Sequence, residues 1–81
     1  MASTENHYAA TDLIVAISEA AWAARKRQGV PFGIDINDAE PAFLADVRAA
    51  VASSRLGEFS AVQCIRENIR GGHALANLLT A

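Results

Sequence analysis

The sequence is poor in the residues that crosslink or stiffen small proteins. It holds one cysteine, Cys64, and two prolines, so no internal disulfide can form and a secreted disulfide scaffold is excluded. Aromatic residues make up only 6% of the chain. Much of its 52% hydrophobic content is alanine, which buries little area per residue. For an 81-residue chain we therefore expect a thin core and modest stability.

A long apolar run is also missing. The most apolar stretch, Leu13–Ala24, contains Glu19 and is too short to span a bilayer. It follows acidic residues and precedes Arg25-Lys26-Arg27, which reverses the charge order of a secretory signal. We expect a cytoplasmic protein that has no membrane partner.

Basic charge is scarce. Seven lysines and arginines stand against nine aspartates and glutamates, which gives a formal net charge of −2 at pH 7 and a pI of about 5.5. Binding to DNA or RNA depends on several cations that contact phosphates. The composition thus argues against nucleic acid as the main ligand.

Apolar residues recur at helical spacing along most of the chain. This pattern predicts an all-α fold, a compact three- to four-helix domain over residues 9–81 after a flexible N-terminus at residues 1–8. The first helix should begin at Ala9 or Asp12 and end at Gln28, before a helix-stopping glycine and proline. Its buried stripe is predicted to be Leu13, Ile17, Ala20 and Ala24, with Ile14 and Ala21 beside it.

The middle of the chain predicts a loop and a second helix. The segment Val30–Ile36 should be extended, with Phe32, Ile34 and Ile36 folded back onto the core. Asn37 or Asp38 is the predicted N-cap of the second helix, and Pro41 suits its first turn. Its inner face should carry Phe43, Val47 and Val51, and it should end near Ser54.

The last third predicts two further helices. Ser60 and Gln63 have the spacing of a capping box, and Phe59 could pack as a hydrophobic staple against Cys64. Val62, Ile65 and Ile69 should form the buried face of this third helix. Gly71-Gly72 is predicted to end or bend it, before a short fourth helix over Ala74–Leu79.

Residues for catalysis or metal binding are few and far apart. His7 and His73 stand at opposite ends of the chain, and neither has a further ligand three or four residues away. Cys64 is nine residues from His73, so we interpret it as a small apolar filler under Phe59 and not as a nucleophile. We expect no enzymatic activity, cofactor, metal or small-molecule substrate.

Two groups at the end of the first helix could bind a partner. Trp22 lies at the edge of the predicted stripe, where it either covers the core or serves as an exposed aromatic anchor. Arg25 belongs to the only basic cluster, Arg25-Lys26-Arg27. That cluster could contact phosphate or an acidic partner, or could be a solvated helix end.

The second and third helices also suggest a helix-turn-helix-like C-terminal half, joined across residues 54–60. In such a unit the third helix would enter the major groove of DNA. Its outer face would carry Gln63, Arg66, Glu67 and Arg70. Two arginines opposed by one glutamate form a poor DNA-reading surface, so DNA binding would be weak and salt-sensitive.

The stretch Cys64–Ala76, with the sequence CIRENIRGGHALA, resembles the closing segment of a helix-turn-helix variant with an extended turn. That family occurs among regulators of conjugative-element transfer. The matching positions are Ile65, Arg66, Ile69, Arg70, Gly72, Ala74, Leu75 and Ala76. Glu67, Asn68, Gly71 and His73 depart from the family's more basic or apolar pattern.

The resemblance implies a role like that of the acidic, QseM-like antiactivators of this family. These occupy a surface of a transcriptional activator instead of binding DNA, and some also block a LuxR-type quorum-sensing regulator. We therefore expect a regulator of transcription and horizontal gene transfer that acts by protein–protein contact. Two alternatives stay open: a weak DNA-binding regulator, and an antitoxin, immunity or phage-borne inhibitor. The candidate partner-binding residues are Trp22, Arg25, Arg66, Glu67 and Arg70.

Overall fold

A computed structural model describes the backbone of residues 2–81 and the side chains of residues 9–81. Its helices are α1 (Ala2–Gln28), α2 (Pro41–Ser53), α3 (Glu58–Asn68) and α4 (Gly72–Thr80), and residues 2–81 contain no strand. The all-α prediction is confirmed. Helix α1 starts at Ala2, earlier than the predicted Ala9 or Asp12. The predicted flexible N-terminus covers residues 1–8, whose side chains, including that of His7, lie outside those that the structure describes.

Helix α1 forms one wall of the core. Its predicted stripe is confirmed: Leu13, Ile17, Ala20 and Ala24 are all buried, and Ala24 is fully so. The small alanines let neighbouring backbones come close to α1. Helix α1 packs on α2 and helix α3 on α4, and α3 also contacts α1 and α2, so the four helices enclose a single core.

The end of α1 follows the sequence prediction closely. Gly29 has a left-handed φ of +65°, and its N–H donates to the carbonyl of Lys26 at 3.3 Å. The N–H of Val30 donates to the carbonyl of Arg25 at 3.1 Å. This pair of bonds is the Schellman motif, which satisfies carbonyls that the helix end would otherwise leave unpaired.

The loop after α1 is less buried than predicted. Ile36 packs against the core, but Phe32 is 84% and Ile34 is 57% exposed. The prediction that Phe32 and Ile34 fold back onto the core is therefore wrong. The loop is held from the side of α1 instead, since the amide of Gln28 exchanges hydrogen bonds of 3.1 and 2.7 Å with the backbone of Asn37.

Helix α2 begins later than the predicted caps. Its N-cap is Glu40 and Pro41 is the first helical residue, so the predicted N-cap at Asn37 or Asp38 is wrong while the position of Pro41 is confirmed. Asn37 instead accepts a hydrogen bond from the backbone N–H of Ala39 at 3.1 Å, an Asx-type turn that precedes the helix. The helix ends at Ser53, next to the predicted Ser54.

Helix α3 begins one turn before its apparent signature. Its N-cap is Gly57, whose carbonyl accepts a hydrogen bond from the N–H of Ala61 at 2.8 Å, and no side chain caps it. Ser60 therefore lies inside the helix, and the predicted capping box is wrong. Phe59 is 83% exposed, so it does not staple against Cys64. Cys64 itself is a buried member of the core, as predicted, but not beneath Phe59.

A tight turn separates α3 from α4. Helix α3 ends at Asn68 and Ile69 is already extended. The turn at Gly71-Gly72 therefore separates two helices and does not merely bend one. Gly71 has a φ of +74°. Gly72 is buried against α3, where a Cβ atom would lie 2.0 Å from the carbonyl oxygen of Ile65. The fourth helix is confirmed and is longer than predicted, running over Gly72–Thr80.

An ion pair joins the end of α1 to the start of α2. Arg27 Nε donates to Glu40 Oε1 at 3.0 Å, and the Arg27 Nη2 atom forms an ion pair with the same oxygen. The hydrogen bond from Arg27 lowers the pKa of Glu40 below its ordinary value, and burial opposes this effect. The ion pair that joins the two helices is therefore lost only in acid, as pH falls through the lowered pKa of Glu40.

We expect Arg27→Gln to destabilise the protein at neutral pH and to have a smaller effect in acid. Because the folded-state pKa of Glu40 is lowered, its contribution is present above the unfolded-state pKa and is lost as pH falls through the folded one. Thermal melting near neutral pH and at about pH 3 checks this, with Lys26→Gln as the control for loss of a cation. An equal effect of Arg27→Gln at both pH values would contradict the prediction.

Candidate interaction surfaces

The end of α1 presents an exposed aromatic pair. Trp22, from α1, is 53% exposed, and Phe32, from the following loop, stacks on it with ring centroids 5.9 Å apart and planes inclined by 24°. The Arg25 Cζ atom lies 5.7 Å from the Trp22 ring centroid and 6.0 Å from that of Phe32, within cation–π range of both. We call Trp22, Arg25 and Phe32 the aromatic cluster.

The backbone of the loop fixes this cluster in place. Arg25 Nη1 donates hydrogen bonds to the carbonyl oxygens of Pro31 at 2.6 Å and Ile34 at 2.8 Å. One guanidinium therefore positions the loop and contacts both rings. Of the two predicted roles of Trp22, a cover of the core edge or an exposed aromatic residue, the structure agrees with the second, because the ring lies on the surface and stacks on Phe32.

A cleft of mixed charge borders the aromatic cluster. Arg25 and Arg70, which are 45 residues apart in sequence, both line it, together with Asp35 and Asp38. Burial raises the pKa of the Asp38 carboxyl, and the charge of Asp35 raises it further. The apolar floor consists of Ile17, Ala21, Ile36, Phe43, Ile69 and Leu75. The cleft thus combines apolar area with charges of both signs.

The outer face of α3 differs from the predicted one. Arg66 is half-buried and donates to Gln63 Oε1 at 2.7 Å, while Gln63 Nε2 donates to Glu67 Oε2 at 3.3 Å. Arg70 follows the end of α3, so its predicted place on the outer face of this helix is wrong. It lines the cleft beside α1, whereas Arg66 lines a separate depression with Phe59.

The structure therefore divides the predicted site residues between two surfaces. Trp22, Arg25 and Arg70 belong to the aromatic cluster and its cleft, and Arg66 and Glu67 belong to α3. Phe32 and Phe59 are surface aromatic residues that the sequence did not predict, because Phe32 was expected to fold back onto the core and Phe59 to pack against Cys64. The loop that joins α2 to α3 is four residues, Ser54 to Gly57, a length that helix-turn-helix units use, but their mutual orientation stays a prediction.

Two classes of site find no support among the described residues. No three His, Cys, Asp or Glu side chains of residues 9–81 converge as a metal site would require. None of the helices over residues 2–81 combines the length and apolar content needed to cross a membrane. The main features of the described surface are the exposed aromatic pair and the charged cleft beside it.

No protein-family model matches the chain, and neither a curated protein nor a solved structure matches it. The surfaces described above are therefore the basis for a functional proposal.

Proposed function

We propose that the chain is a small regulatory protein that binds another protein through the aromatic cluster and the cleft beside it. The observation that carries this proposal is the exposed Trp22–Phe32 stack held by Arg25. Tryptophan and arginine are the residues most enriched at binding hot spots. Their presence in one preformed surface group of a small protein favours recognition over catalysis.

The geometry of the cluster suits an interface. Its rings and guanidinium are already ordered by contacts within the chain, so binding would lose little side-chain entropy. A partner that covered the rings would gain apolar burial, and the charges of Arg70, Asp35 and Asp38 at the adjacent cleft could fix its orientation. A protein–protein interface usually has a hydrophobic centre and a polar or charged edge.

Two observations support the kind of partner that we propose, the net charge and the resemblance of residues 64–76. Our proposal is that the partner is a cytoplasmic transcriptional activator and that the chain inhibits it as an antiactivator. The net charge of −2 favours a protein partner over DNA. Arg66 and Arg70, which a DNA-reading helix would present together, line two separate depressions.

Affinity capture from the host lysate tests this proposal. The tagged full chain would be used after nuclease treatment, with recovered proteins identified by mass spectrometry. A transcriptional activator that stays bound at moderate salt, and whose promoter activity falls when the chain is added to a purified transcription assay, would support it. Recovery of a toxin-like nuclease as the main partner would contradict the proposal. Recovery of no partner once nucleic acid is digested would contradict it as well.

We expect Trp22→Ala to weaken binding to the captured partner by roughly 10- to 30-fold, because it removes the largest ring of the aromatic cluster. Calorimetry on the purified proteins measures this effect. Trp22→Phe should retain most of the affinity, and Lys26→Ala, which removes a neighbouring cation outside the cluster, should have little effect. If Trp22→Ala weakens binding no more than Lys26→Ala does, the aromatic cluster is not the binding surface.

A further inference from the structure

A second apolar surface lies between α2, α3 and α4. Val51 and Leu56 line it from the side of α2, Val62 from α3 and Leu79 from α4. It continues past Val62 to Phe59 and Arg66, where a second depression shares the same wall. We call this continuous surface the α2–α4 groove. None of its lining residues belongs to the aromatic cluster or to the cleft beside it.

Phe59 is the most exposed large apolar side chain at this groove. Its side chain is 83% exposed at the edge of the groove, although it lies in the first turn of α3. Val51, Leu56 and Leu79 are only partly buried. Phe59 and the exposed parts of these three aliphatic side chains thus form one apolar area, the kind of patch that marks interaction sites.

Two arginines and one glutamate line the groove. Arg48 lines one end, and its guanidinium makes no ion pair to any residue that the structure describes. Arg66 lines the other end and donates to the neutral amide of Gln63, so its charge is not neutralised there. Glu58 is the one carboxylate among the described lining residues. The two arginines thus exceed the one lining glutamate by a single positive charge, on a chain whose net charge is −2.

The hydrogen-bonding groups at the groove favour a helical occupant over an extended one. An extended peptide needs hydrogen-bond partners for its N–H and C=O groups, as a sheet edge provides, but residues 2–81 contain no strand. The polar side chains at the groove are already occupied: Thr80 donates to the carbonyl of Ala76 at 3.0 Å, and Gln63 bonds Arg66 and Glu67. A helix satisfies its own backbone and needs only apolar and charged contacts.

We infer that the α2–α4 groove binds an amphipathic helix of a protein partner, one that carries acidic residues on both sides of its apolar stripe. The apolar stripe would cover Phe59, Leu56 and Leu79, and the carboxylates would pair with Arg48 and Arg66. This surface is distinct from the aromatic cluster, so the chain has two separate binding surfaces and can hold two partner segments at once.

A designed peptide tests the inference on the intact chain. The probe is a helix-forming peptide of about 16 residues with leucines at positions i, i+3, i+4 and i+7 and glutamates beside them. The comparison peptide has lysine in place of each glutamate. In a titration of the isotope-labelled protein observed by NMR, we expect shifts at Val51, Leu56 and Phe59. The acidic peptide should bind about 10-fold more tightly than the basic one at low salt, and the difference should shrink at high salt.

Variants assign the binding to the groove. Phe59→Ala and Arg48→Glu alter exposed residues, so they should leave the fold intact and weaken binding of the acidic peptide by about 5- to 10-fold each. Trp22→Ala should leave peptide binding unchanged, even where it disrupts capture of the partner described above. A failure of the aromatic-cluster proposal is thereby separated from a failure of this one.

Several outcomes would overturn the inference. They are equal affinity for the acidic and basic peptides, shifts confined to the aromatic cluster, and the absence of shifts at about 1 mM peptide. Concentration-dependent dimerisation that Phe59→Ala abolishes would also overturn it, because a second copy of the chain would then be the occupant. Val15, Glu19 and Trp22 form an exposed line on α1 that such a copy could offer.

Discussion

Gly72→Ala is expected to destabilise the protein by about 3 kcal/mol or more, because the added methyl group would overlap the backbone of α3. A Cβ atom built on Gly72 lies 2.0 Å from the carbonyl oxygen of Ile65 and 2.9 Å from its carbonyl carbon. Neither atom belongs to a flexible side chain that could move away. Helices α3 and α4 would have to separate, and with them the buried contacts that Ile65 and Leu75 contribute to the core.

Two other glycines provide matched controls for this effect. Gly57 has open space around it and an ordinary negative φ, so Gly57→Ala should cost at most about 1 kcal/mol, the usual effect of alanine at a helix N-cap. Gly71 also has open space but a φ of +74°, so Gly71→Ala should cost about 1 kcal/mol through backbone strain alone. Urea unfolding followed by circular dichroism measures all three. The prediction fails if Gly72→Ala costs no more than Gly71→Ala.

Phe43→Ala is expected to cost about 3–5 kcal/mol, a large share of the stability of a domain this small. Phe43 is 2% exposed and is among the largest fully enclosed side chains of the protein. It lies in the core cluster with Leu13, Ile17 and Ile65, from the two helices that pack around α2. Several of the other core residues are alanines, whose side chains are too short to fill the cavity that it would leave.

The chain contains a matched control for this substitution as well. Phe59→Ala removes the same side chain from a position that is 83% exposed, so the stability loss should be within about 0.5 kcal/mol. Thermal or urea unfolding of the two variants under identical conditions gives the comparison. A similar loss in both would mean that Phe59 is covered in solution, by a second copy or by a rearranged α3.

The sequence predicted the fold where the signal was local and repeated. The α1 stripe recurs over several turns, and Gly29 with Pro31 provides a stop that depends only on neighbouring residues. The burial of Phe43, Val47 and Ile65 followed from the same periodicity. Such patterns are reliable because a helix presents every third or fourth residue to the same side regardless of what covers it.

The sequence predictions are wrong where tertiary contacts determine which of two possible local structures forms. Ser60 and Gln63 have capping-box spacing, but Ala61 is fully buried and its N–H bonds to Gly57, so the helix extends through Ser60. The Trp22–Phe32 stack depends on hydrogen bonds from Arg25 to two loop carbonyls, which no spacing in the sequence encodes. Arg70 was placed on a helix that ends before it.

The candidate sites could be predicted only in part for the same reason. Residue type identified Trp22 and Arg25, since aromatic and guanidinium groups favour interfaces wherever they lie. Their common location with Arg70, and the groove formed by Val51, Val62 and Leu79, required the packing of helices that are distant in sequence. The partner class rests on the resemblance of residues 64–76 and on net charge, and it stays a proposal.

Trp22 is the only tryptophan in the chain, and this gives the protein an intrinsic optical reporter at the aromatic cluster. Excitation at the red edge of protein absorption reads this one indole, which is half open to solvent and lies beside a guanidinium. Dynamic quenching by iodide or acrylamide therefore measures access to this surface. A ligand that covers it can be detected without any label, whereas one that occupies the α2–α4 groove leaves the emission unchanged.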